Sequence, residues 1–168
     1  KEHWRKFALW EEATRAPFIW VAPGVTKPGG ICKSPVDFMS VYPTLCELAS
    51  LPKPTWLEGD NIKPLLADPA ADWTSVGVTT FGQNNHAVRT DRWRYIRYAD
   101  GGEELYDHSN DEFEWTNLAS KPEHAKLKAE LANHFPSINV PPSAHGKMSD
   151  NEGSPSGKAK KAATVSPK

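Results

Sequence analysis

Apolar positions in this chain fall into short runs of different period, and the periods separate its segments. The run from Pro17 to Pro23 (PFIWVAP) is continuously apolar, bounded by prolines and closed by Gly24. That pattern predicts a strand buried on both faces, as in a parallel sheet. The preceding segment Phe7 to Ala13 predicts one or two helical turns. Beyond a Pro/Gly loop (Pro28, Gly29, Gly30), Ser34, Pro35 and Asp37 supply a cap, a first-turn proline and an acid, so a helix is expected to start there. Val36, Met39, Tyr42, Cys46 and Ala49 follow at helical spacing, with a kink or restart expected at Pro43 and an end at Pro52 and Pro54. Asp60 to Ala67 predicts a short helix interrupted by Pro64.

The period then changes from helical to alternating. Ala87 to Thr90 and Trp93 to Tyr98 are rich in strand formers, Asp100-Gly101-Gly102 supplies a turn, and Glu104 to Asp107 reads as the returning strand. The prediction is an antiparallel hairpin. Arg92, Arg94 and Tyr98 share one parity and Trp93, Tyr95 and Arg97 the other, which predicts a mixed-charge sheet face open to solvent. Ser120 and Glu123 form a capping box opening a last helix, with Leu127, Leu131 and Phe135 as its apolar stripe.

Composition narrows the function classes. No stretch of the 168 residues approaches the roughly 20 consecutive apolar positions of a membrane span. A net charge of -1 gives no global basic footprint for nucleic acid. The charge is unevenly placed: from Pro141 to Lys168 there is no aromatic residue, and five Lys stand against Asp150 and Glu152. Such a segment buries too little apolar surface to offset its ordering entropy, so 141–168 is expected to be a disordered tail. The two cysteines, Cys32 and Cys46, have no Cys or His partner at zinc spacing, and their pairing stays open.

The common phosphate-cradle, dinucleotide and nucleophile-elbow motifs are missing. Three features remain. His3-Trp4-Arg5-Lys6-Phe7 sets cationic or titratable groups between aromatic rings, which reads either as a solvated edge or as an anion site. Asn84-Asn85-His86 places a histidine in a loop just before a strand, as a surface turn or a cleft-facing group. The arginines of 89–97 interleave with aromatic side chains, but Asp91, Asp100, Glu103 and Glu104 beside them argue against a nucleic-acid stacking platform.

Taken in order, Trp4-Arg5-Lys6, the segment Leu9 to Ile19, Ala22-Pro23-Gly24, Tyr42-Pro43-Thr44-Leu45, Leu57 to Asp60, Ala87 to Thr90 with Arg92 to Ile96, and Glu104 to Asp107 with Asp111, Glu114 and Asn117-Leu118 resemble the C-terminal part of the type I sulfatase family. The resemblance is closest to its iduronate-2-sulfatase-like branch and runs to about Phe135. It implies an α/β chain, the C-terminal part of an alkaline-phosphatase-like sulfatase fold: 1–80 closing the main α/β domain and 81–140 a small antiparallel sheet with a terminal helix. It also implies hydrolysis of a sulfate ester, with a sulfated carbohydrate as the expected substrate, by a formylglycine nucleophile and a Ca²⁺ ion. A periplasmic or secreted location follows by the same analogy.

The nucleophile and metal ligands of that family are expected upstream of this chain. Neither Cys32 nor Cys46 is followed by the x-P-x-R that formylglycine formation requires, and no metal site complete within the chain is expected. The chain alone is therefore expected to be inactive. One family residue carries over to Lys6, as the lysine that binds sulfate and offsets charge on the ester oxygens. His86 is the second candidate, as a substrate contact or leaving-group proton donor. The rival readings are a phosphoric or phosphonic ester hydrolase of the same superfamily and a catalytically inactive binding or structural fragment.

Overall fold

The computed structural model describes residues 7–141. Lys6 and the predicted tail beyond Pro141 lie outside them. The centre is a four-stranded antiparallel meander, β1 (Gly77–Thr80), β2 (His86–Arg89), β3 (Trp93–Arg97) and β4 (Glu103–Asp107), in the order β1-β2-β3-β4. The β3–β4 turn closes as its residues dictate. Tyr98 N donates to Gly102 O at 2.8 Å, Asp100 Oδ1 accepts from Gly102 N, and Gly101 takes φ +85°, which a side chain would disfavour. Strand β1 is additional to the expected hairpin.

Register decides which side chains share a face. Val88 lies opposite Val78 and Tyr95, and Tyr95 opposite Leu105. This row packs against Leu127, Leu131 and Phe135 of the C-terminal segment. Its helix, α4 (Ala125–Ala132), follows a 3₁₀ turn at Pro122–His124, so it starts later than the Ser120 box suggests and has no side-chain cap. The apolar stripe is as expected. Tyr95 and Phe135 stack at 5.4 Å, and the Arg97 guanidinium sits 4.6 Å over the Phe135 ring.

The opposite face carries Ala87, Ile96 and Tyr106, packed against Leu9 and Trp10. The expectation of an open, mixed-charge face is therefore wrong: Arg94 is only 2% exposed. A strand with one parity apolar and the other charged looks half-solvated, but here the charge is matched by carboxylates delivered from the N-terminal segment.

The run at 17–23 also departs from expectation. It forms no strand, and Ile19 and Val21 are 84% and 85% exposed. Phe18 and Trp20 turn inward, Phe18 meeting Trp20 at 5.6 Å and Phe38 at 5.4 Å. Apolarity reports a need for cover; strand formation also needs a neighbouring backbone, and among the described residues none lies alongside.

Helix α2 (Val41–Leu48) follows a 3₁₀ turn at Phe38–Ser40 capped by Asp37, whose Oδ1 accepts from Met39 N at 3.1 Å. The start is later than Ser34. Pro43 then falls in the first turn, where its missing donor costs nothing, so no kink is required. The buried face is Pro43, Thr44 and Cys46, while Met39 and Tyr42 of the expected stripe stand exposed. Thr44 explains the rotation: its hydroxyl donates to Ser40 O at 2.6 Å and accepts from Ile62 N at 3.0 Å. Those bonds seat the entry to α3 (Lys63–Ala67), in which Pro64 begins the helix instead of interrupting it. No helix among the described residues is long and apolar enough to cross a membrane.

The loop after β4 is built on carboxylates. Asp107 takes a bidentate pair from Arg92, at 2.9 and 2.7 Å, and the Ser109 amide and hydroxyl. The Arg92 hydrogen bonds hold its carboxyl well below the usual aspartate range against the opposing effect of burial. A depressed folded-state value stabilises the fold above the ordinary aspartate range and loses that contribution as pH falls through the folded value. The urea midpoint of Asp107→Asn should therefore lie below wild type at pH 7, the gap narrowing toward about pH 2. A gap independent of pH contradicts this role.

Candidate functional site

Lys6 itself lies outside the described residues, but the segment that follows it is held at several points. Phe7 stacks on Phe81 at 5.8 Å. Arg94 Nη1 donates to Leu9 O at 3.0 Å, Trp10 Nε1 donates to Glu104 Oε2 at 2.7 Å, and Arg94 Nη2 donates to Thr14 Oγ1 at 3.1 Å. A concavity lined by Phe7, Leu9, Trp10, Phe81, Asn85 and Tyr98 opens beside this segment.

Glu104 is a hub, since besides Trp10 it accepts the hydroxyls of Tyr98, at 3.0 Å, and Tyr106. Burial and the Glu104 charge push both phenols up, so they remain donors at any physiological pH.

The short helix α1 (Glu11–Thr14) docks on a buried charge network. Glu11 Oε2 accepts from Arg94 Nη2 and, at 3.1 Å, from Arg89 Nε. Arg94 Nε lies 2.5 Å from Glu114 Oε1, as a charge contact without hydrogen-bond alignment. Glu114, 1% exposed and at φ +57°, also accepts the Glu11 amide at 3.0 Å. Arg89 Nη2, 3.1 Å from His108 Nδ1, can only donate; Nδ1 therefore accepts, and Nε2 carries the proton shared with Glu114 Oε1 at 3.0 Å. Burial raises the Glu11 carboxyl, but the two guanidinium groups outweigh it and hold the group low.

Among the described residues Glu11, His108 and Glu114 are the one trio whose ligand atoms lie close enough for a shared metal, within 4.8 Å of one another. They do not fit the Ca²⁺ that the sulfatase resemblance implies. Calcium takes six to eight oxygens, whereas here two guanidinium groups already occupy the carboxylates and a third donor is a ring nitrogen. Nor does a cysteine fit the nucleophile: Cys46 is buried, Cys32 is exposed, and neither has the required flanking residues.

His86 is 1% exposed and closed in on the sheet face that meets Phe135, 5.4 Å from that ring. Asn139 Oδ1 accepts from Asn84 N at 3.0 Å, so its Nδ2 donates to His86 Nε2 at 2.8 Å. Nδ1 then carries the proton, directed at Thr80 Oγ1 at 2.9 Å. Burial, with the Arg97 charge, holds the imidazole below its ordinary range and neutral at pH 7. Both ring nitrogens are engaged, by Asn139 and Thr80. Its position as the first residue of β2, rather than a free loop residue, is the reason.

Sequence reasoning left Arg94, Glu11, Glu114 and Glu104 without roles. Glu11 and Glu114 lie within the pieces that carry the family resemblance, and the need to neutralise a strand arginine is the signal that links them.

Among the described residues no group fits the nucleophile or the Ca²⁺ site of a sulfatase, and the segment 9–14 is held on the sheet by Arg94. Residues 1–140 match the model for the N-sulphoglucosamine sulphohydrolase C-terminal family, and the chain belongs to that family. It is similar to a sulfatase of Formosa agariphila, 41% identical over 115 residues that cover 68% of this chain and 22% of that protein. It is also similar to a Delta 4,5-hexuronate-2-O-sulfatase of Bacteroides thetaiotaomicron, 33% identical over 144 residues covering 75% of this chain and 28% of the relative. Among solved structures, Ps i-CgsB shares the fold with a TM-score of 0.50 and 22% identity, over 66% of this chain and 26% of its own. The chain thus spans about a quarter of the length of these relatives, and its fold is the C-terminal part of the sulfatase fold with its small antiparallel sheet.

Proposed function

We propose that this chain is the C-terminal portion of a sulfatase that hydrolyses the sulfate ester of a sulfated sugar, and that Lys6 is its contribution to the sulfate site. The carrying observation is the family match over residues 1–140, which includes Lys6 and the anchored segment behind it. The names of the relatives, a sulfatase and a hexuronate-2-O-sulfatase, support the sulfated-sugar class. The formylglycine and Ca²⁺ of such an enzyme belong, on this reading, to polypeptide outside this chain, because no described residue fits either.

The chemistry asked of Lys6 suits its type. An ammonium is a compact charge with three donors on a flexible stem, able to follow an ester oxygen as negative charge grows on it. Trp4 and Phe7 neighbour Lys6 in sequence, and apolar side chains beside a cation are of the type that lowers local polarity and strengthens such an interaction.

The test is a substrate comparison with the intact enzyme, produced in a host that forms formylglycine. A 2-O-sulfated unsaturated uronate disaccharide and an aryl sulfate are expected to be turned over, and aryl phosphate and aryl phosphonate monoesters to be poor substrates. The reverse preference favours the phosphoric or phosphonic ester reading. No turnover of any ester, with formylglycine verified by mass spectrometry, favours a catalytically inactive role.

A further inference from the structure

We propose that His86 and Asn139 form a pH-sensitive pin, which holds the segment 136–141 on the sheet at neutral pH and releases it in acid. Little else keeps the segment there. Its larger apolar side chains, Ile138 and Val140, are exposed and pack against nothing that would retain them. Among the described residues its hydrogen bonds to the rest of the domain run through one residue. Asn139 O accepts from Gln83 Nε2 at 3.2 Å, Asn139 Oδ1 accepts from Asn84 N at 3.0 Å, and Asn139 Nδ2 donates to His86 Nε2 at 2.8 Å.

Protonation of His86 breaks this arrangement, and a rotated amide does not repair it. A cationic imidazole has no acceptor, so its Nε2–H would face the Nδ2 donor of Asn139. Turning the amide over offers Oδ1 to His86 but brings Nδ2 against the Asn84 N–H, which moves the donor–donor contact from one end to the other. The charge also lacks a partner. Strand β1 and the loop 81–85 carry no titratable group. Arg97 of β3, opposite His86, repels a cation, and Glu103 of β4 faces Arg97 and is taken by Tyr95 and by Lys128 of α4. Phe135 covers the ring from the C-terminal side, and His134 beside it points to solvent as an exposed residue. Water is what relieves the charge, and it reaches the ring when the segment lifts.

The sign follows from linkage. Burial and the Arg97 charge hold the imidazole below its ordinary range in the pinned state, whereas a solvated imidazole titrates at about 6.5. The lifted state therefore binds the proton more readily, and the pin is complete above about pH 6.5 and weakens as pH falls below it.

The Asn84 amide reports the pin directly, because its acceptor is Asn139 Oδ1. Hydrogen exchange of the intact protein is measured between about pH 7.5 and 5, each rate being referred to the intrinsic rate at that pH. Protection of Asn84 is expected to fall by about tenfold over this range, while amides paired between β2 and β3 keep theirs. Asn139→Asp should invert the trend, since a carboxylate accepts from both the Asn84 N–H and a protonated His86. Asn139→Ala should leave Asn84 unprotected throughout, and His86→Gln should make its protection independent of pH. Should the buried histidine prove intolerant of change, the two variants of Asn139 still decide the matter. Constant protection in the wild type, a fall that persists in Asn139→Asp, or a loss at β2 and β3 in step with Asn84 overturns the pin.

Discussion

Lys6→Ala in the intact enzyme should reduce kcat/KM by about 10²–10³-fold, the cost of removing one preorganised group that stabilises developing oxyanion charge. The loss should fall on kcat as well as on KM, because charge on the ester oxygens is greater in the transition state than in the bound ester. Lys6→Arg keeps the charge but replaces a mobile point with a planar fork, and a partial recovery is expected. The melting temperature of both variants should stay near the wild-type value, since Phe7 stacks on Phe81 and Leu9 and Thr14 are held by Arg94. Steady-state kinetics on an aryl sulfate decide the matter, and near-normal turnover of Lys6→Ala removes it from the sulfate site.

Glu114→Ala carries the largest expected effect on stability, about 3–5 kcal/mol, the cost of breaking a buried pair from one side. Glu114 meets Arg94, His108 and the Glu11 amide, and it is 1% exposed, so no water takes the place of the lost carboxylate. Among the described residues Arg94 would keep Glu11 as its carboxylate partner, which already serves Arg89. The paired change Arg94→Met with Glu114→Leu should recover much of the loss, since it removes the charge together with its partner. Urea unfolding monitored by tryptophan fluorescence reads both. A loss below about 1 kcal/mol for Glu114→Ala is the behaviour of an exposed pair and contradicts the buried network.

These two residues also show where sequence reasoning succeeds and where it stops. The alternation of Val88 and of Tyr95 with its neighbours was legible because packing on a sheet face imposes a period of two, and the stripe of Leu127, Leu131 and Phe135 because a helix imposes its own. Arg94 was not legible as a buried residue. Its parity matches solvent-facing positions, and its carboxylate partner Glu11 is 83 residues away. His86 was misplaced for a related reason: a histidine at a loop–strand junction looks available until Asn139, 53 residues later, closes over it. The 17–23 run predicts a strand that needs neighbouring parallel strands to cover it, and among the described residues none lies alongside, so no strand forms.

Family resemblance covered part of that gap. It singled out Asp111, Glu114 and Asn117 without explaining them, and the structure gives each a physical task. Asp111 accepts the amides of Trp115 and Thr116, and Asn117 joins Leu105 N, Ala119 N and Glu103 O. They shape the loop that delivers Glu114 beneath Arg94. These contacts give the three residues structural tasks in this chain, and the proposed contact with sulfate falls to Lys6.

The meander and its clamp differ in how far apart along the chain their parts begin. Each strand pairs with its neighbour in sequence, so the sheet closes through short loops and forms early. The grip of Arg94 on Leu9 and Glu11 closes loops of more than 80 residues, which carries a larger entropic penalty and comes later. Until then Arg94 has only the nearby Glu114 to neutralise it. The segment leading to Lys6 is therefore the last to be put in order during folding and the first to be released when the domain loosens.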